Sequence, residues 1–295
     1  MARLQKLWPH GLIALALIGL TASLVAAPPP ATHTRLQVAV PADVYHDYQC
    51  WLRQRQVQQI NDYRGDCSRR DVIEVALLQQ ALALGGDDHE LDWVMVDSYQ
   101  RTLVEMDQGR LDMAATSLWQ QDIAQSENLW ASAPLLPAGS NLAQLYGRAD
   151  TANATTLTDI KQLAAFRVVS SSQWQADWQL LNGLPHGTLL DASRWQIMVR
   201  WVVNGRADLL LAPPLTTGTT VLHVNGSELY PIPGGRLCLP GSRHFAISRH
   251  HPEANAIQHA LDQGIGRLRQ QGRLRRAYQQ AGALQPPAET LNHCP

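Results

Sequence analysis

Gly109-Arg110-Leu111-Asp112 and Gly205-Arg206-Ala207-Asp208 are two copies of one short phrase, each lying between an amphipathic run and an apolar run. Glycine ends helices because it tolerates the left-handed conformation needed just past the last turn. An apolar run without polar alternation is typical of a strand buried on both faces, as in a parallel sheet. The flanking runs are residues 99–108 and 113–115 for the first copy, and 195–204 and 209–212 for the second. The two copies therefore predict two α/β lobes built on one plan.

The start of the chain has the three parts of an export signal. Arg3 and Lys6 form a positive beginning, residues 12–20 are apolar, and residues 22–27 end in small side chains. The alternative is an uncleaved membrane anchor, although the apolar run is short for a span. We therefore expect residues 1–27 to be a signal peptide and the rest of the chain to be exported.

Composition bounds the class of protein. The 295 residues carry 24 Lys and Arg against 25 Asp and Glu, so the formal net charge is −1. Without a basic excess there is no general reason to expect a nucleic-acid partner. The chain without its signal is long enough for two lobes of ordinary domain size.

The four cysteines predict two disulfides, because exported proteins meet an oxidising environment. Three pairings are possible. The sequence favours Cys50–Cys67, which closes a local loop, and this leaves Cys238–Cys294. Metal binding is the alternative, but the chain has no Cys-x-x-Cys pair, and we expect no metal site.

The first part of the chain alternates strand and helix patterns. A long polar segment, residues 41–67, interrupts this alternation and is predicted as a loop at the mouth of a cleft. The predicted elements are strand 36–40, helix 72–84, strand 91–96, helix 99–108 and strand 111–116. This order is typical of a doubly wound parallel sheet.

A second set of elements follows a break at residues 134–139. Its predicted elements are strand 141–146, helix 159–164, strand 167–170, helices 173–181 and 193–204, and strand 207–212. A strand at 244–248 then returns to the first set, and helices 252–269 and 274–280 end the fold. We therefore predict an α/β fold with two doubly wound lobes.

The order of these elements resembles the bacterial extracellular solute-binding proteins of family 3, which have the type II periplasmic binding-protein fold. The pieces that carry the resemblance are "WVMVDSYQRTLVEMDQGRLDMAAT" (93–116), "SAP" (132–134), "LTDIKQLAAFRVVSSS" (157–172), "GRADLLLA" (205–212) and residues 244–283. The resemblance implies a first lobe of residues 35–139 plus 249–284, an inserted second lobe of residues 145–243, and a tail of residues 285–295. Crossing strands near 140–144 and 244–248 would be the hinge.

The resemblance also implies a function. Such a protein is periplasmic and monomeric, captures a small polar or aromatic molecule between its lobes, and presents it to an ABC transporter permease or a membrane sensor. No cofactor is implied. The alternative is a dehydratase-like enzyme of the same fold. The acidic and imidazole groups near the cleft, Asp43, His46, Asp47 and Asp122, form no recognisable acid–base set, so binding is favoured over catalysis.

Ligands of open α/β sheets bind at the carboxyl ends of the strands. That rule places the cleft at residues 42–48, 116–122, 170–174 and 212–215. The candidate ligand-binding residues in these segments are Tyr45, Tyr48, Thr116, Trp119, Ser171, Ser172 and Trp174. The alternative for each aromatic residue is packing within its own lobe, and for Ser172 it is a plain helix N-cap.

Two features of amino-acid-binding members are missing. Residues 118–125 contain no Arg or Lys at the place where an Arg holds the ligand carboxylate in those members. Ala212-Pro213-Pro214 occupies the place of the Asp that receives the ligand amine. The sequence therefore predicts that a free amino acid is not the ligand.

Overall fold

The computed structural model describes Ala2 and residues 35–215, 220–224, 226–284 and 289–294. Residues His33–Pro295 form one compact unit. The predicted signal peptide lies outside the described residues apart from Ala2. None of the described helices combines the length and the apolar character needed to cross a bilayer.

Strands and helices alternate through most of the chain. The strands are β1 (Arg35–Val40), β2 (Glu90–Met95), β3 (Met113–Ala114), β4 (Leu118–Trp119), β5 (Leu129–Ala131), β6 (Asn141–Gly147), β7 (Arg167–Ser170), β8 (Thr188–Asp191), β9 (Leu209–Ala212), β10 (Leu222–Val224), β11 (Ser227–Leu239), β12 (Arg243–His244) and β13 (Ala246–Ser248). The helices are α1 (Ala42–Leu52), α2 (Arg70–Gly85), α3 (Tyr99–Asp107), α4 (Gln120–Ile123), α5 (Ala149–Ala154), α6 (Gln175–Gly183), α7 (Trp195–Val203), α8 (Ala254–Gln270) and α9 (Arg273–Gln280). Short 3-10 helices cover Val57–Gln59 and Ile160–Ala165.

Two sheets organise the fold. The first has the strand order β2-β1-β3-β13-β5, and the second has the order β10-β11-β6-β9-β7-β8. A two-stranded pair, β12 and β4, stands apart from both. Below, the first lobe and the second lobe mean these two sheets with the helices packed on them. The lobe boundaries that the resemblance implies remain predictions.

The two copies of the repeated Gly-Arg-x-Asp phrase have the same structural role in both lobes. Gly109 and Gly205 have φ angles of 70° and 71°, the left-handed conformation that glycine adopts without strain. The aspartate of each copy then accepts a hydrogen bond from a backbone N–H on the neighbouring strand. Asp112 Oδ2 receives it from Gln37 at 2.7 Å, and Asp208 Oδ2 receives it from Arg167 at 2.8 Å. The phrase therefore ends a helix and ties the chain to the edge of the next strand.

The polar segment 41–67 differs from its prediction as a loop over a cleft. Its first part is α1, which buries Val44, Tyr48 and Trp51 on one face. The N–H of Ala42 at the start of this helix donates to Asp97 Oδ1 at 2.8 Å, a partner far away in sequence. Trp51 Nε1 donates to the Tyr63 carbonyl at 3.2 Å, which pins the rest of the segment to the core. The segment is therefore part of the first lobe's core and not a lid.

Both disulfides of the structure are the pairs that the sequence favours. Cys50 and Cys67 join the end of α1 to the loop before α2, with Cα atoms 6.1 Å apart. Cys238 and Cys294 join β11 to the C-terminal tail, with Cα atoms 5.2 Å apart. The structure describes no free cysteine.

The return crossing lies earlier than predicted. Residues 246–248, expected in the hinge, form β13 inside the first sheet, where Ile247 pairs with both Met113 and Trp130. The chain instead passes between lobes just before β6 and just after β11. The Nδ2 atom of Asn141 donates to the Gly241 carbonyl at 2.9 Å, so one side chain links the two crossings.

Candidate functional site

Two of the four predicted cleft segments contact the opposite lobe. Residues 116–122 follow β3 and include Trp119, which packs with second-lobe residues, and residues 170–174 include the end of β7 and the turn into α6. Gln100 Nε2 donates to the Gln173 carbonyl at 3.3 Å, and Gln125 Nε2 donates to Gln175 Oε1 at 3.3 Å. These hydrogen bonds run between the lobes, so the lobes are in contact along this edge.

A buried hydrogen-bond chain lies beneath the contact. Glu74, fully buried in α2, accepts from the Ser117 N–H at 2.8 Å, from the Ser117 hydroxyl at 2.7 Å and from the Tyr278 hydroxyl at 3.0 Å. The Ser117 hydroxyl in turn accepts from Arg243 Nε at 2.8 Å. Three donors compensate the Glu74 carboxylate, so this part of the site is structurally complete without a ligand.

Arg70, the first residue of α2, is different. Its Nε atom is buried, and its guanidinium makes no hydrogen bond with any described residue. Burial alone would lower the pKa of Arg70, but the carboxylates of Glu74, Asp71 and Asp177 raise it above the usual value. Arg70 is therefore a cation with anions nearby and no direct partner.

Arg243 is the second cation of the site. Burial, and then the positive charge of Arg70, lowers the pKa of Arg243 to about 10. Its guanidinium lies over the Trp119 ring, 4.5 Å from the ring centre, and it also donates to the Ser117 carbonyl. The two guanidinium groups thus repel each other at the foot of the cleft, which favours a further anion or hydrogen-bond acceptor between them.

Asp177 faces these arginines from the second lobe, in the first turn of α6. Burial raises the pKa of Asp177 to about 6, against the opposing positive charges of Arg243 and Arg70. The Asp177 carboxylate has no hydrogen bond to any described residue. Arg70 and Asp177 therefore act on each other electrostatically from opposite lobes without a direct hydrogen bond.

A third polar group lies in α4, directly after β4. The Tyr99 hydroxyl donates to Asp122 Oδ2 at 2.6 Å and accepts from the Trp119 N–H at 3.1 Å. Burial raises the pKa of Asp122, although hydrogen bonding by Tyr99 and the charge of Arg243 act against the rise. Asp122 Oδ1 and Gln121 Nε2 are buried without partners among the described residues. Both atoms are free to bind a ligand or water.

The structure separates the predicted aromatic residues into two groups. Tyr48 is 2% exposed and its hydroxyl accepts from Gln79 Nε2, while Tyr45 packs on Trp93 with ring centres 6.0 Å apart. Tyr48 therefore belongs to the core of the first lobe and the partly exposed Tyr45 packs against that core, and their role as ligand contacts stays a prediction. They lie on one face of α1, which the sequence interpretation had placed in a loop.

Trp119 and Trp174 lie at the contact between the lobes. Trp119, from the β4 strand beside the first sheet, packs into a hydrophobic cluster with second-lobe residues such as Leu145 and Leu237. Trp174 is partly buried against Trp195, with ring centres 6.4 Å apart. Trp195 itself is partly exposed beside Trp174. The Trp174 and Trp195 rings together form an aromatic surface on the second lobe.

The Ser and Thr hydroxyls in these segments differ in whether they have a hydrogen-bond partner. The Ser172 hydroxyl donates to Asp191 at 2.7 Å, and the Ser171 hydroxyl accepts from the Gln173 N–H at 3.2 Å. The Ser170 hydroxyl is buried without a partner in the described chain, and no described residue bonds the Thr116 hydroxyl. Ser172 therefore bonds a neighbouring strand and does not cap α6, whose N-cap residue is Trp174, while the Ser170 and Thr116 hydroxyls have no partner among the described residues.

The sequence interpretation missed Arg70, Arg243 and Asp177. Asp177 had a readable signal, because it lies in the first turn of the helix that follows a predicted cleft segment. Arg243 directly precedes the predicted return strand. Arg70 lies in a run of charged residues with no signal that separates it from Arg69, which binds Asp43 and Asp47 at the surface.

Metal ligands do not assemble in the part of the chain that the structure describes, where no group of three or more His, Cys, Asp or Glu side chains could hold an ion. His250 Nε2 lies 2.9 Å from the Asp107 carbonyl, and the His251 ring packs edge-on against His89. These side chains serve local packing.

No protein-family model and no curated protein matches this chain. Solved structures match its fold. The periplasmic VFT2 domain of BvgS from Bordetella pertussis is similar with a TM-score of 0.57 and 17% identity, over 86% of this chain and 94% of that chain. AbpA, an amino acid ABC transporter substrate-binding protein from Streptococcus pneumoniae bound to L-arginine, has a TM-score of 0.51 and 14% identity, over 85% and 97%.

A third similar structure is the ancestral amino acid-binding protein AncCDT-1, a precursor of cyclohexadienyl dehydratase. Its TM-score is 0.51 at 13% identity, over 84% of this chain and 95% of that chain. At such identities the likeness establishes the fold. The predicted α/β fold of the type II periplasmic binding-protein kind is therefore confirmed.

Proposed function

We propose that this protein is a periplasmic solute-binding protein of extracellular family 3, which captures a small polar or aromatic molecule between its two lobes. The fold is compatible with this role, and so is the position of the unpartnered groups at the edge where the lobes meet. The exported, monomeric state and the hinge at the two crossings belong to the same proposal.

The observation that carries the proposal is the pair Arg70 and Asp177. A buried charged group without a partner lowers the stability of the folded protein. Arg70, whose Nε atom is buried without a partner, and the partly buried Asp177 have opposite signs and lie on different lobes, so a ligand could compensate both on binding. A ligand that contacts both lobes also favours the arrangement in which the lobes are closed.

The chemistry of these groups defines the ligand. An acceptor or anionic group of the ligand binds Arg70, and a donor or cationic group binds Asp177. Trp174 and Trp195 provide a flat aromatic surface that suits an apolar or aromatic part of the molecule. The ligand is therefore a small dipolar compound.

The prediction against free amino acids now has a weaker basis. It rested on the missing Arg in residues 118–125, and that stretch has none. However, Arg70 and Asp177 supply a cation and an anion from other elements. A free amino acid therefore remains among the dipolar compounds to test, alongside the L-arginine that AbpA binds.

Two kinds of membrane partner fit a solute-binding protein of this fold. AbpA belongs to an ABC transporter, whereas the VFT2 domain is a periplasmic part of BvgS. We propose that the closed form of this protein docks on either an ABC importer permease or a membrane sensor.

One observation favours the enzyme alternative. A carboxyl group with a pKa near 6, as at Asp177, is suited to proton transfer at neutral pH. No described base lies within hydrogen-bond distance of Asp177, so binding stays the preferred function. Conversion of the captured molecule into a product of different mass would instead support a dehydratase-like activity.

The test is capture of the ligand from a metabolite extract, read by native mass spectrometry. We expect the wild-type protein to retain one small molecule and the Arg70→Gln variant to lose it. Arg148→Gln is the matched control, because Arg148 binds Asp150 and the Val202 carbonyl at the surface. Equal retention by wild type and Arg70→Gln would contradict the proposed site.

A further inference from the structure

The C-terminal tail is bound to the second lobe by more than its disulfide. The Leu291 N–H donates to the Arg236 carbonyl at 2.7 Å. The Asn292 side chain pairs with the Cys238 backbone in both directions, accepting from the N–H at 2.8 Å and donating to the carbonyl at 2.9 Å. These hydrogen bonds resemble strand pairing along β11. The Cys238–Cys294 disulfide adds a covalent link between the tail and the same strand.

The chain just before the tail belongs to the first lobe. Tyr278 of α9 binds Glu74, and Ala281, Ala283 and Leu284 pack into the first lobe's core. Leu291, by contrast, packs into the core of the second lobe. Only seven peptide steps separate Leu284 from Leu291, which reach at most about 24 Å. The chain therefore crosses between lobes a third time.

This third crossing ends beside the other two. Cys294 Sγ lies 3.5 Å from the Gly139 carbonyl, and Gly139 directly precedes the first crossing. Cys238, its disulfide partner, lies near the end of β11, just before the second crossing. All three connections thus meet at one end of the cleft.

We infer that residues 289–294 are a disulfide-closed third strand of the hinge, which limits how far the lobes separate. Two peptide crossings alone permit bending and twisting, because each is a single chain. A third attachment, held by a covalent bond and a paired asparagine, restricts the twist. Cleavage of the Cys238–Cys294 bond leaves only hydrogen bonds and the Leu291 contact to hold residues 289–294 on the second lobe, and the lobes then separate further.

The inference concerns the ligand-free protein, so its test needs no ligand and is independent of the solute-binding proposal. The test variant carries Cys238→Ser and Cys294→Ser. The control carries Cys50→Ser and Cys67→Ser, which removes the other disulfide, whose two ends both lie in the first lobe. Small-angle X-ray scattering gives the radius of gyration, and hydrogen exchange reports on the amides of β6 and β11.

We expect a larger radius of gyration and faster exchange near Asn141 and Leu239 in the test variant, but not in the control. A second variant keeps both disulfides and has six Gly and Ser residues inserted after Leu284, which lengthens the third connection between the lobes without removing a bond. It should open as far as the Cys238→Ser and Cys294→Ser variant, even if that variant folds poorly. An unchanged radius of gyration in the lengthened protein would overturn the inference.

Discussion

Arg70 of the first lobe and Asp177 of the second lobe carry opposite charges that each shift the pKa of the other, and the buried Nε atom of Arg70 has no hydrogen-bond partner among the described residues. The neighbouring charged groups are satisfied: Glu74 has three donors and Arg243 donates to Ser117. The contrast separates a structural part of the site from a part that is open to a ligand. Each prediction below tests one side of that division.

Replacing Asp177 should change the pH dependence of stability. The pKa of Asp177 is about 6 in the folded protein and 3.8 in its unperturbed state, so the folded state binds the proton more tightly. The ionised carboxylate therefore lowers stability above pH 6, and this loss disappears as the pH falls towards 4. Asp177→Asn should raise the free energy of unfolding at pH 8 by at most about 3 kcal/mol.

Urea unfolding between pH 4 and pH 8 measures this effect. The quantity to compare is the free energy of unfolding of wild type minus that of Asp177→Asn, which should rise as the pH falls from 8 to 4. Asp191→Asn is the control on the same lobe, because Asp191 is held by the Ser172 N–H and hydroxyl. Parallel pH curves for wild type and Asp177→Asn would show that Asp177 does not titrate near pH 6.

The two arginines should respond differently to substitution. Arg70→Gln removes an unpartnered buried cation, which raises stability, and its attraction to Glu74 and Asp71, which lowers it; these effects oppose each other, so the free energy of unfolding should change by less than about 1 kcal/mol. Arg243→Gln removes a buried donor from Ser117 and a counter-charge to Glu74, and should lower stability by about 2–4 kcal/mol. Chemical denaturation of both variants compares them directly. A large loss in Arg70→Gln would mean that Arg70 is structural.

Glu74 should behave as a structural group. Glu74→Gln keeps the size of the side chain but presents an amide N–H₂ to one of the donors on Ser117 and Tyr278. A buried donor left without an acceptor costs about 1–3 kcal/mol. Thermal unfolding should show this loss at neutral pH, and a Glu74→Gln protein as stable as wild type would refute the compensation argued for the carboxylate.

The two copies of the repeated phrase should differ in tolerance to alanine. Both glycines have a positive φ, so alanine is strained at either position. At Gly109 an added Cβ would also meet the His250 side chain at 2.8 Å, whereas at Gly205 it meets only the flexible end of Arg148 at 3.2 Å. Gly109→Ala should therefore lose more stability than Gly205→Ala, by about 1 kcal/mol or more. Equal losses in thermal unfolding would contradict the packing argument.

Much of the fold was predictable from local patterns. The strand predicted at 167–170 has the same bounds as β7, and the helices predicted at 99–108 and 274–280 match α3 and α9 to within one residue. In these elements, hydrophobic periodicity and glycine agree. The strand predicted at 111–116 is shorter, since β3 is only Met113–Ala114.

Other elements depend on contacts distant in sequence. The start of α1 is capped by Asp97, more than fifty residues away, so its local pattern resembles a loop. Strand β11 contains Pro231, Pro233 and two glycines, which argue against a strand. The strand forms nevertheless, because its pairing with β6 shifts register between Pro231 and Arg236, the stretch that contains Pro233 and both glycines. The residues 159–164, predicted as an α-helix, form a 3-10 helix at Ile160–Ala165.

The location of the site stays a prediction. The rule for strand ends selected four segments, of which 116–122 and 170–174 each contact the opposite lobe. It could not select Arg70 or Arg243, because each reaches the site from an element whose sequence carries no binding pattern. These two charges could be placed near the site only from the tertiary structure.

Calorimetric titration of the captured molecule into wild type, Arg70→Gln, Asp177→Asn and Arg148→Gln tests most directly whether a solute bridges Arg70 and Asp177. Because each charged group would hold one end of the ligand, we predict that Arg70→Gln and Asp177→Asn each weaken binding at least tenfold, a loss of about 1.4 kcal/mol or more. Arg148→Gln should bind as wild type does. Unchanged affinity in both Arg70→Gln and Asp177→Asn would contradict a ligand bound between these two residues.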